Sequence, residues 1–312
     1  MLGYELNQKA EQPPVVSLLL IFVTIFLGFA IVGPLVGFFI SVPFYPGETM
    51  EYLTALQGDI PQHPEIKTAL YVMQGCATTI GLIFAPMLLL MTQQKSIKDL
   101  FRGQSIDPLP MLLTVVVVIV FMGLNSFFVE WNAGIKFPEF MKEFETWARQ
   151  SEDKATGITQ FLTHFDSTFQ VFIALVVIAI LPAIGEELVF RGLVQNEFYR
   201  GTKNIHLSIW ISAMLFSAIH FQFYGFVPRM LLGAMFGYLY FWSGSLWISI
   251  LAHFINNGIA VLGMYLHQQG YFDFDVESTE AAPWPLVLFS TVLTSILLYS
   301  FKRYYDQKAT PA

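Results

Sequence analysis

The chain has 312 residues, of which 55% are hydrophobic, 12% are charged and 31 are phenylalanine, and its formal net charge is −7. Soluble domains usually carry about twice this charged fraction, so the composition excludes an ordinary soluble enzyme and indicates one membrane domain over residues 1–312. No basic run points to nucleic-acid binding, and the single cysteine, Cys76, excludes an internal disulfide and a cysteine-based zinc site.

Eight apolar stretches approach or exceed the roughly 20 residues that a bilayer-crossing helix needs. In chain order they are residues 15–42, 69–91, 109–128, 169–194, 207–221, 227–242, 246–266 and 284–301. The first is longer than a signal-peptide core and lacks a cleavage pattern, so we expect it to be retained. The predicted fold class is an all-α polytopic membrane protein. Its parts are N-terminal spans in 15–130, a core in 168–266 and a last span with a tail in 284–312.

Basic residues in the loops predict the orientation. With the N-terminus inside, nine Lys or Arg residues lie in inner segments and five in outer ones. The inner ones are Lys9, Lys95, Lys98, Arg102, Arg200, Lys203, Lys302, Arg303 and Lys308. We therefore expect both termini to be cytoplasmic, and the short loops favour a bacterial plasma membrane. The outer loop 130–166 is expected to hold a short amphipathic helix, 138–150, which is either an interfacial segment or a substrate gate.

Ionisable side chains inside spans are costly, so they indicate function. In the fourth span Glu187 and Arg191 are four residues apart, within reach of an ion pair on one helix face. Glu186 lies about 100° further round the helix and is predicted to face a different cavity without a partner. Adjacent carboxylates repel each other, which suits one of them to take a proton from water. Pro182 and Gly185 are expected to bend the helix and admit water.

Two other spans contribute polar groups to the same predicted chamber, which lies between helices 4, 5 and 7. Phe216 and His220 share a face at the end of the fifth span, and His253 and Asn257 share a face of the seventh. This set suits hydrolysis of an acyl bond by water, with Glu186 as general base and His220 holding the water and shuttling its proton. Asn257, with His253, would donate hydrogen bonds to the oxyanion.

Several alternatives remain open at this point. The histidines and asparagines are also explained as helix-packing residues, Glu187–Arg191 as a structural ion pair and Phe216 as a lining residue. Glu186, His220 and His253 would supply a His₂Glu zinc set, although Asn257 suits an oxyanion donor better than a ligand, so we favour catalysis without a metal. A non-catalytic scaffold or immunity protein would use the chamber to bind a peptide. A proton transporter would use it as a relay, but no inverted repeat supports that function.

Three motifs carry a resemblance to a known family. Glu-Glu-x-x-x-Arg at 186–191, Phe-x-x-x-His at 216–220 and His-x-x-x-Asn at 253–257, each on its own span, resemble the CAAX protease and bacteriocin-processing (Abi) family of intramembrane proteases. The resemblance implies eight spans, a chamber open to the cytoplasm and a peptide or protein substrate, which is prenylated in eukaryotes. It also implies that the first glutamate is the base, and the family has been described both as metalloproteases and as glutamate proteases.

The predicted span ends create one geometric difficulty. At about 1.5 Å per residue, Glu186 lies about 24 Å from the outer end of its span and His220 about 20 Å from the inner end of its own. The two side chains are therefore expected near opposite membrane faces. A kink at Pro182, a strong tilt or a wrongly bounded fifth span would bring them together.

Overall fold

The computed structural model describes residues 12–57, 63–93, 100–101, 107–273 and 278–309, and within these ranges the chain is helical and contains no strand. The main helices are α1 (Pro14–Phe44), α2 (Thr49–Gln57), α3 (Pro64–Thr92), α4 (Pro108–Ala133), α5 (Lys142–Thr163), α6 (Thr168–Thr202), α7 (Ile205–Ala218), α8 (Phe226–Ser243), α9 (Leu246–Gln268) and α10 (Trp284–Ala309). Six helices, α1, α3, α4, α6, α9 and α10, are long and apolar enough to cross a membrane, and α7 is a shorter apolar helix. The prediction of an all-α polytopic membrane protein is confirmed.

Helices α1 and α3 cross in close contact because small residues line the crossing. A Cβ atom added to Gly81 would lie 2.4 Å from the Cα atom of Phe29, and one added to Gly33 would lie 2.7 Å from the Cα atom of Ala77. In lipid, helix association depends on such close backbone packing rather than on removing apolar surface from water. This helix pair packs against α6 from outside the segment that carries the three motifs.

Contacts between distant residues define two faces of the helix bundle. At one face, called here the terminal face, Arg200 Nη2 donates to the carbonyl oxygen of Gln12 at 2.7 Å, and Lys308 contacts Asp107. At the other, called the α5 face, Tyr71 contacts the carbonyl oxygen of Leu162. Four of the nine basic residues behind the predicted orientation, Lys9, Lys95, Lys98 and Arg102, lie outside the described residues.

The predicted end of the fourth span was wrong, and the correction removes the depth difficulty. Helix α6 does not stop at 194 but continues to Thr202. Arg200 pairs with Glu197 at 2.6 Å and donates to Ser17 Oγ at 3.1 Å, which ties the polar last turns to α1. Glu186 is 16 residues before Thr202, and His220 is 15 residues after Ile205, where α7 begins. Both are therefore about 22–24 Å from the same tight turn, at similar depth.

The amphipathic helix in the long loop is also longer than predicted. Helix α5 spans Lys142–Thr163, whereas the sequence indicated 138–150. It carries an i,i+4 ion pair, Glu145–Arg149 at 2.7 Å, and Ala148 and Leu162 are buried against the bundle. An apolar stripe and an i,i+4 pair together sustain a helix in a polar segment. Helix α5 therefore covers its own face of the bundle rather than forming an open loop.

Candidate active site

Pro182 and Asn257 connect α6 and α9 at the centre of the bundle. Proline has no N–H, so Pro182 cannot donate to the carbonyl oxygen of Ile178, which is its usual i−4 acceptor in an α-helix. The side chain of Asn257 donates to that oxygen instead, from Nδ2 at 3.2 Å. A π-helical segment lies on each side of the α-helical turns that hold Glu186, at 175–180 and 188–195. The irregular helix is thus held in place by a polar side chain of its neighbour.

A buried ion cluster lies one helix face away from Glu186. Glu187 Oε1 accepts from Arg191 Nη1 at 2.6 Å and lies 2.8 Å from His253 Nδ1. The Glu187 side chain is 0% exposed and that of Arg191 is 1% exposed. A carboxylate only accepts hydrogen bonds, so Nδ1 of His253 carries the proton and, in the neutral imidazole, Nε2 is left as the acceptor. The sequence predicted an ion pair of Glu187 with Arg191 alone, whereas in the structure Glu187 also contacts His253.

Two glycines of α8 allow α6 to hydrogen-bond to its backbone. Arg191 Nη2 donates to the carbonyl oxygen of Gly233 at 2.8 Å, and Gln195 Nε2 donates to that of Gly237 at 3.2 Å. A Cβ atom at Gly237 would lie 2.7 Å from Gln195 Oε1. The guanidinium of Arg191 also lies over the ring of Phe216, 4.8 Å from its centroid. Donors and glycines each four residues apart therefore fix the register of the two helices.

Glu186 is the carboxylate that faces the open space. Its side chain is 15% exposed, and its Oε2 atom lies 3.8 Å from Nε2 of His253. That distance exceeds a hydrogen bond and leaves room for adjustment or a bridging molecule. One histidine thus lies between the two glutamates, with Nδ1 towards the buried Glu187 and Nε2 towards Glu186.

His220 is oriented by the end of α7. Its Nδ1 atom lies 2.8 Å from the carbonyl oxygen of Phe216, which can only accept, so Nδ1 donates and Nε2 of the neutral ring is an acceptor. The next residue, Phe221, has a φ of 54°, in the left-handed region that disfavours bulky residues. The chain therefore turns sharply after His220 and leaves this side chain at the rim of the helix end.

The four predicted site residues Glu186, His220, His253 and Asn257 line one cavity of about 820 Å³ together with Phe216. The predicted chamber between the fourth, fifth and seventh spans therefore corresponds to a real void between α6, α7 and α9. Asn256 also lines it and donates from Nδ2 to Oδ1 of Asn257 at 3.1 Å, which orients the neighbouring amide. The structure thus brings a carboxylate, two imidazoles and an amide to one space.

Sequence reasoning missed the polar residues at the α5 end of the cavity. Glu152 of α5 accepts from Gln222 Nε2 at 3.2 Å and from the backbone N–H of Tyr224 at 3.2 Å. Burial raises the pKa of the Glu152 carboxyl, and the nearby cation of Arg229 partly offsets this shift. Arg229 lies inside the predicted sixth span. The argument that ionisable side chains inside spans indicate function would therefore have identified it. Glu152 gave no such signal, because it lies in a polar segment.

The side chains do not form a ready metal site. Within the described residues, no group of three or more His, Cys, Asp or Glu side chains is arranged to hold a metal ion. Glu186, His220 and His253, the candidate zinc set, share the cavity without converging on one point. The Nε2 atoms of both histidines are nevertheless available as ligand atoms, so bound zinc should be measured in the purified protein.

Residues 168–259 match the model of a family described as Type II CAAX prenyl endopeptidase Rce1-like. This segment is an Rce1-like domain. It begins at the first residue of α6 and includes the ion cluster and all four predicted site residues, so the resemblance read from the motifs is confirmed for this part of the chain.

The Rce1-like domain also has a curated relative. The uncharacterized protein YpbD of Bacillus subtilis (strain 168) is 27% identical over 89 residues, which are 27% of this chain and 42% of that relative. The chain thus spans less than half the length of the relative it matches. No solved structure matches the chain.

The cavity extends towards the α5 face. Its lining includes Arg149 and Glu152 of α5 and the connection 222–225, whereas the chain ends near 12 and 308 lie at the terminal face. The termini and this end of the cavity, called here the cavity mouth, are therefore at opposite faces of the bundle. The basic residues predict cytoplasmic termini, and the family resemblance implies a chamber open to the cytoplasm. In this arrangement the α5 end of the cavity lies on the side opposite the termini.

Proposed function

We propose that the protein is an intramembrane endopeptidase whose Rce1-like domain hydrolyses a peptide bond inside the cavity. One observation carries the proposal: Glu186, His220, His253 and Asn257, contributed by three stretches of chain, line the same void of about 820 Å³. The family description of this segment names an endopeptidase. Ionisable groups inside an apolar bundle cost free energy and are found there mainly where they serve a function, which favours catalysis over packing.

The reaction begins with water held between Glu186 and His220. The Glu186 carboxylate takes one proton from the water as its oxygen attacks the carbonyl carbon of the substrate. The new C–O bond forms while the carbonyl π electrons move to the carbonyl oxygen, which becomes the oxyanion. The proton then passes to the amide nitrogen as the C–N bond breaks. The products are a carboxylic acid and an amine, and Glu186 returns to its ionised form.

The amide of Asn257 is the proposed donor to the oxyanion. One Nδ2 hydrogen is used by the carbonyl oxygen of Ile178, and the second remains for the substrate. His253 can donate from Nε2 only as the imidazolium, since its Nδ1 proton points to Glu187. The Glu187 carboxylate orients the His253 ring through Nδ1, so the ion cluster acts as support for His253. Preorganised donors of this kind are typically worth about 3–4 kcal/mol each in the transition state.

The test is cleavage of peptide libraries by purified protein, with products identified by mass spectrometry. Glu186→Gln and His220→Ala are expected to abolish cleavage while the thermal unfolding midpoint stays near that of the parent. Glu143→Gln, an exposed glutamate of α5, is the matched control and should cleave normally. Cleavage retained by Glu186→Gln or by His220→Ala would overturn the mechanism.

The same variants separate the proposal from a scaffold or immunity function. A scaffold that only binds a peptide keeps its cellular phenotype in Glu186→Gln and loses it when a bulky residue fills the cavity, as in Leu232→Trp. A glutamate protease loses the phenotype in both variants. Zinc analysis of the purified protein, with a chelator added to the cleavage assay, tests the metal-free version. Stoichiometric zinc lost on replacing both His220 and His253 would reject it.

A lipidated substrate is part of the proposal because an apolar cavity lies beside the site. This cavity, of about 420 Å³, is lined by apolar side chains that include Ala183, Ile184, Leu251 and Phe254. These residues neighbour Glu186 on α6 and His253 on α9, so an attached hydrocarbon chain would lie next to the peptide. Comparing prenylated and unmodified forms of one cleaved peptide, with parent protein and with Ala183→Trp, tests this. A lipid preference that survives Ala183→Trp would reject this cavity as the lipid site.

A further inference from the structure

Arg229 is a cation at the α5 end of the cavity whose hydrogen-bonding capacity is only partly used. It lies in the first turn of α8, and its guanidinium packs against Gly225, where an added Cβ atom would lie 2.9 Å from Nη2. Nη2 donates to Gln222 Oε1 at 2.8 Å. Nη1 is buried and has no hydrogen-bond partner among the described residues. A buried guanidinium N–H without an acceptor costs free energy, so an acceptor is expected when the site is in use.

The neighbouring carboxylates do not supply this acceptor. Gln222 stands between Arg229 and Glu152, because its Nε2 donates to Glu152 Oε1 at 3.2 Å while its Oε1 accepts from Arg229. The other oxygen of Glu152 accepts from the backbone N–H of Tyr224. Arg229 is held in a defined place by this network, and Nη1 is left over.

Arg229 lines the same cavity as the residues proposed to hydrolyse the peptide bond. It lines the same void as Glu186, His220 and His253, and its positive charge interacts with that of Glu186. A peptide bound across the void would therefore have its reacting carbonyl near Glu186 and a neighbouring part near Arg229. A guanidinium matches a carboxylate with two parallel hydrogen bonds, which fixes orientation as well as adding affinity.

We propose that Arg229 binds a carboxylate of the peptide substrate and so determines which bond lies at Glu186. The carboxylate belongs either to the C-terminus of the peptide or to an acidic side chain close to the cleaved bond. This inference rests on the proposed peptidase function for its setting, but it concerns binding and can be tested without turnover.

The experiment uses full-length Glu186→Gln protein in lipid nanodiscs, so that bound peptide is not cleaved. The probe is a dansyl-labelled hexapeptide of leucine and valine in four forms: free C-terminus, C-terminal amide, amide with one glutamate, and amide with glutamine in its place. Fluorescence anisotropy gives the dissociation constants. We expect one carboxylate form to bind about tenfold tighter than its neutral counterpart, and the pair that differs identifies the source of the carboxylate.

Substitutions at two arginines decide whether Arg229 is responsible. Arg229→Gln should reduce the preference to below about threefold, and Arg229→Lys should retain part of it, because a lysine keeps the charge without the fork. Arg149→Gln is the matched control: it removes a cation from the same cavity that is already paired with Glu145 at 2.7 Å, and it should keep the preference. Unfolding midpoints show whether each variant is folded.

The outcomes separate the two proposals. A preference that is absent from the parent, that persists in Arg229→Gln or that disappears equally in Arg149→Gln overturns the role of Arg229. A preference that depends on Arg229, in a protein that cleaves no peptide when Glu186 is restored, rejects the peptidase and keeps the carboxylate site.

Discussion

The Nδ1 atom of His253 lies 2.8 Å from Oε1 of Glu187, the same oxygen that accepts from Arg191 at 2.6 Å. One buried carboxylate thus connects α6 to α9 and holds a cation on its own helix. The adjacent Glu186 is left to face the cavity. The two glutamates therefore differ in environment although they are neighbours in sequence.

Removing the buried carboxylate is expected to destabilise the protein strongly. Glu187→Ala leaves Arg191 charged and buried without its partner, a change that typically costs about 3–5 kcal/mol. The measurement is unfolding in detergent followed by circular dichroism. Glu139→Ala, from the exposed i,i+3 pair with Lys142 at 3.1 Å, is the matched control and should shift the midpoint little, because exposed pairs contribute little. Equal effects of the two substitutions would contradict the assignment of the ion cluster.

The crossing of α1 and α3 predicts a position-specific effect of alanine. Gly81→Ala would place a Cβ atom 2.4 Å from the Cα atom of Phe29, so the helices must move apart, which we expect to cost about 1–3 kcal/mol. On the same helix Gly75→Ala meets its nearest atom, in Val177, at 3.7 Å and should be neutral or stabilising. Unfolding midpoints of both variants test the crossing, and a tolerated Gly81→Ala would argue against it.

Two adjacent asparagines should differ in their effect on turnover. Asn257→Ala removes the proposed oxyanion donor and is expected to lower kcat by about 10²–10³-fold. Asn256→Ala removes only the side chain that orients Asn257, and a smaller loss is expected. Steady-state kinetics on a peptide found in the library screen provide the measurement. A KM effect without a kcat effect for Asn257→Ala would place that residue in substrate binding instead.

Glu152 predicts a pH dependence of stability at the α5 face. Burial raises the pKa of its carboxyl, and the charges of Arg229 and Asp153 act on it in opposite directions. The folded protein then holds this proton more tightly than the unfolded chain. Its stabilising contribution is complete below the ordinary glutamate pKa and is lost as pH rises through the higher folded value.

Glu152→Gln removes this titration while keeping a side chain of similar shape. The unfolding midpoint of the parent should therefore fall relative to that of the variant as the pH rises above the ordinary glutamate pKa of about 4.3. A difference between the two midpoints that stays constant with pH would show that Glu152 ionises normally.

Opposite placement of the termini and the cavity mouth can be tested by labelling. In a Cys76→Ser background, Arg303→Cys lies towards the terminal face and Lys142→Cys lies at the start of α5. An impermeant maleimide added to intact cells should label only one of them. With cytoplasmic termini, as the basic residues favour, that one is Lys142→Cys, and the cavity mouth faces outward.

The reverse labelling pattern would place the termini outside and the mouth in the cytoplasm, as the family resemblance implies. Labelling of both positions from the same side would contradict the two-face arrangement itself. Lysed cells, in which both positions are accessible, provide the control for reactivity.

The sequence by itself determined the membrane class, the helical fold and the segment that carries the family motifs. An apolar segment long enough to cross a bilayer has few alternatives to a helix, because backbone N–H and C=O groups in lipid must hydrogen-bond to one another. The spacing of Glu187 and Arg191 likewise fixed a pair on one helix face, since the helix repeat is local. These features depend on neighbours in sequence, which the sequence displays directly.

Only the tertiary structure decided which groups share a cavity and at which depth. The prediction separated Glu186 from His220 because it ended the fourth span at 194, whereas tertiary contacts of Arg200 extend α6 to Thr202. The Glu187–His253 contact and the Asn257 bond to Ile178 each join two helices that are distant in sequence. Such contacts depend on the relative rotation and register of packed helices, which the local apolar pattern does not specify.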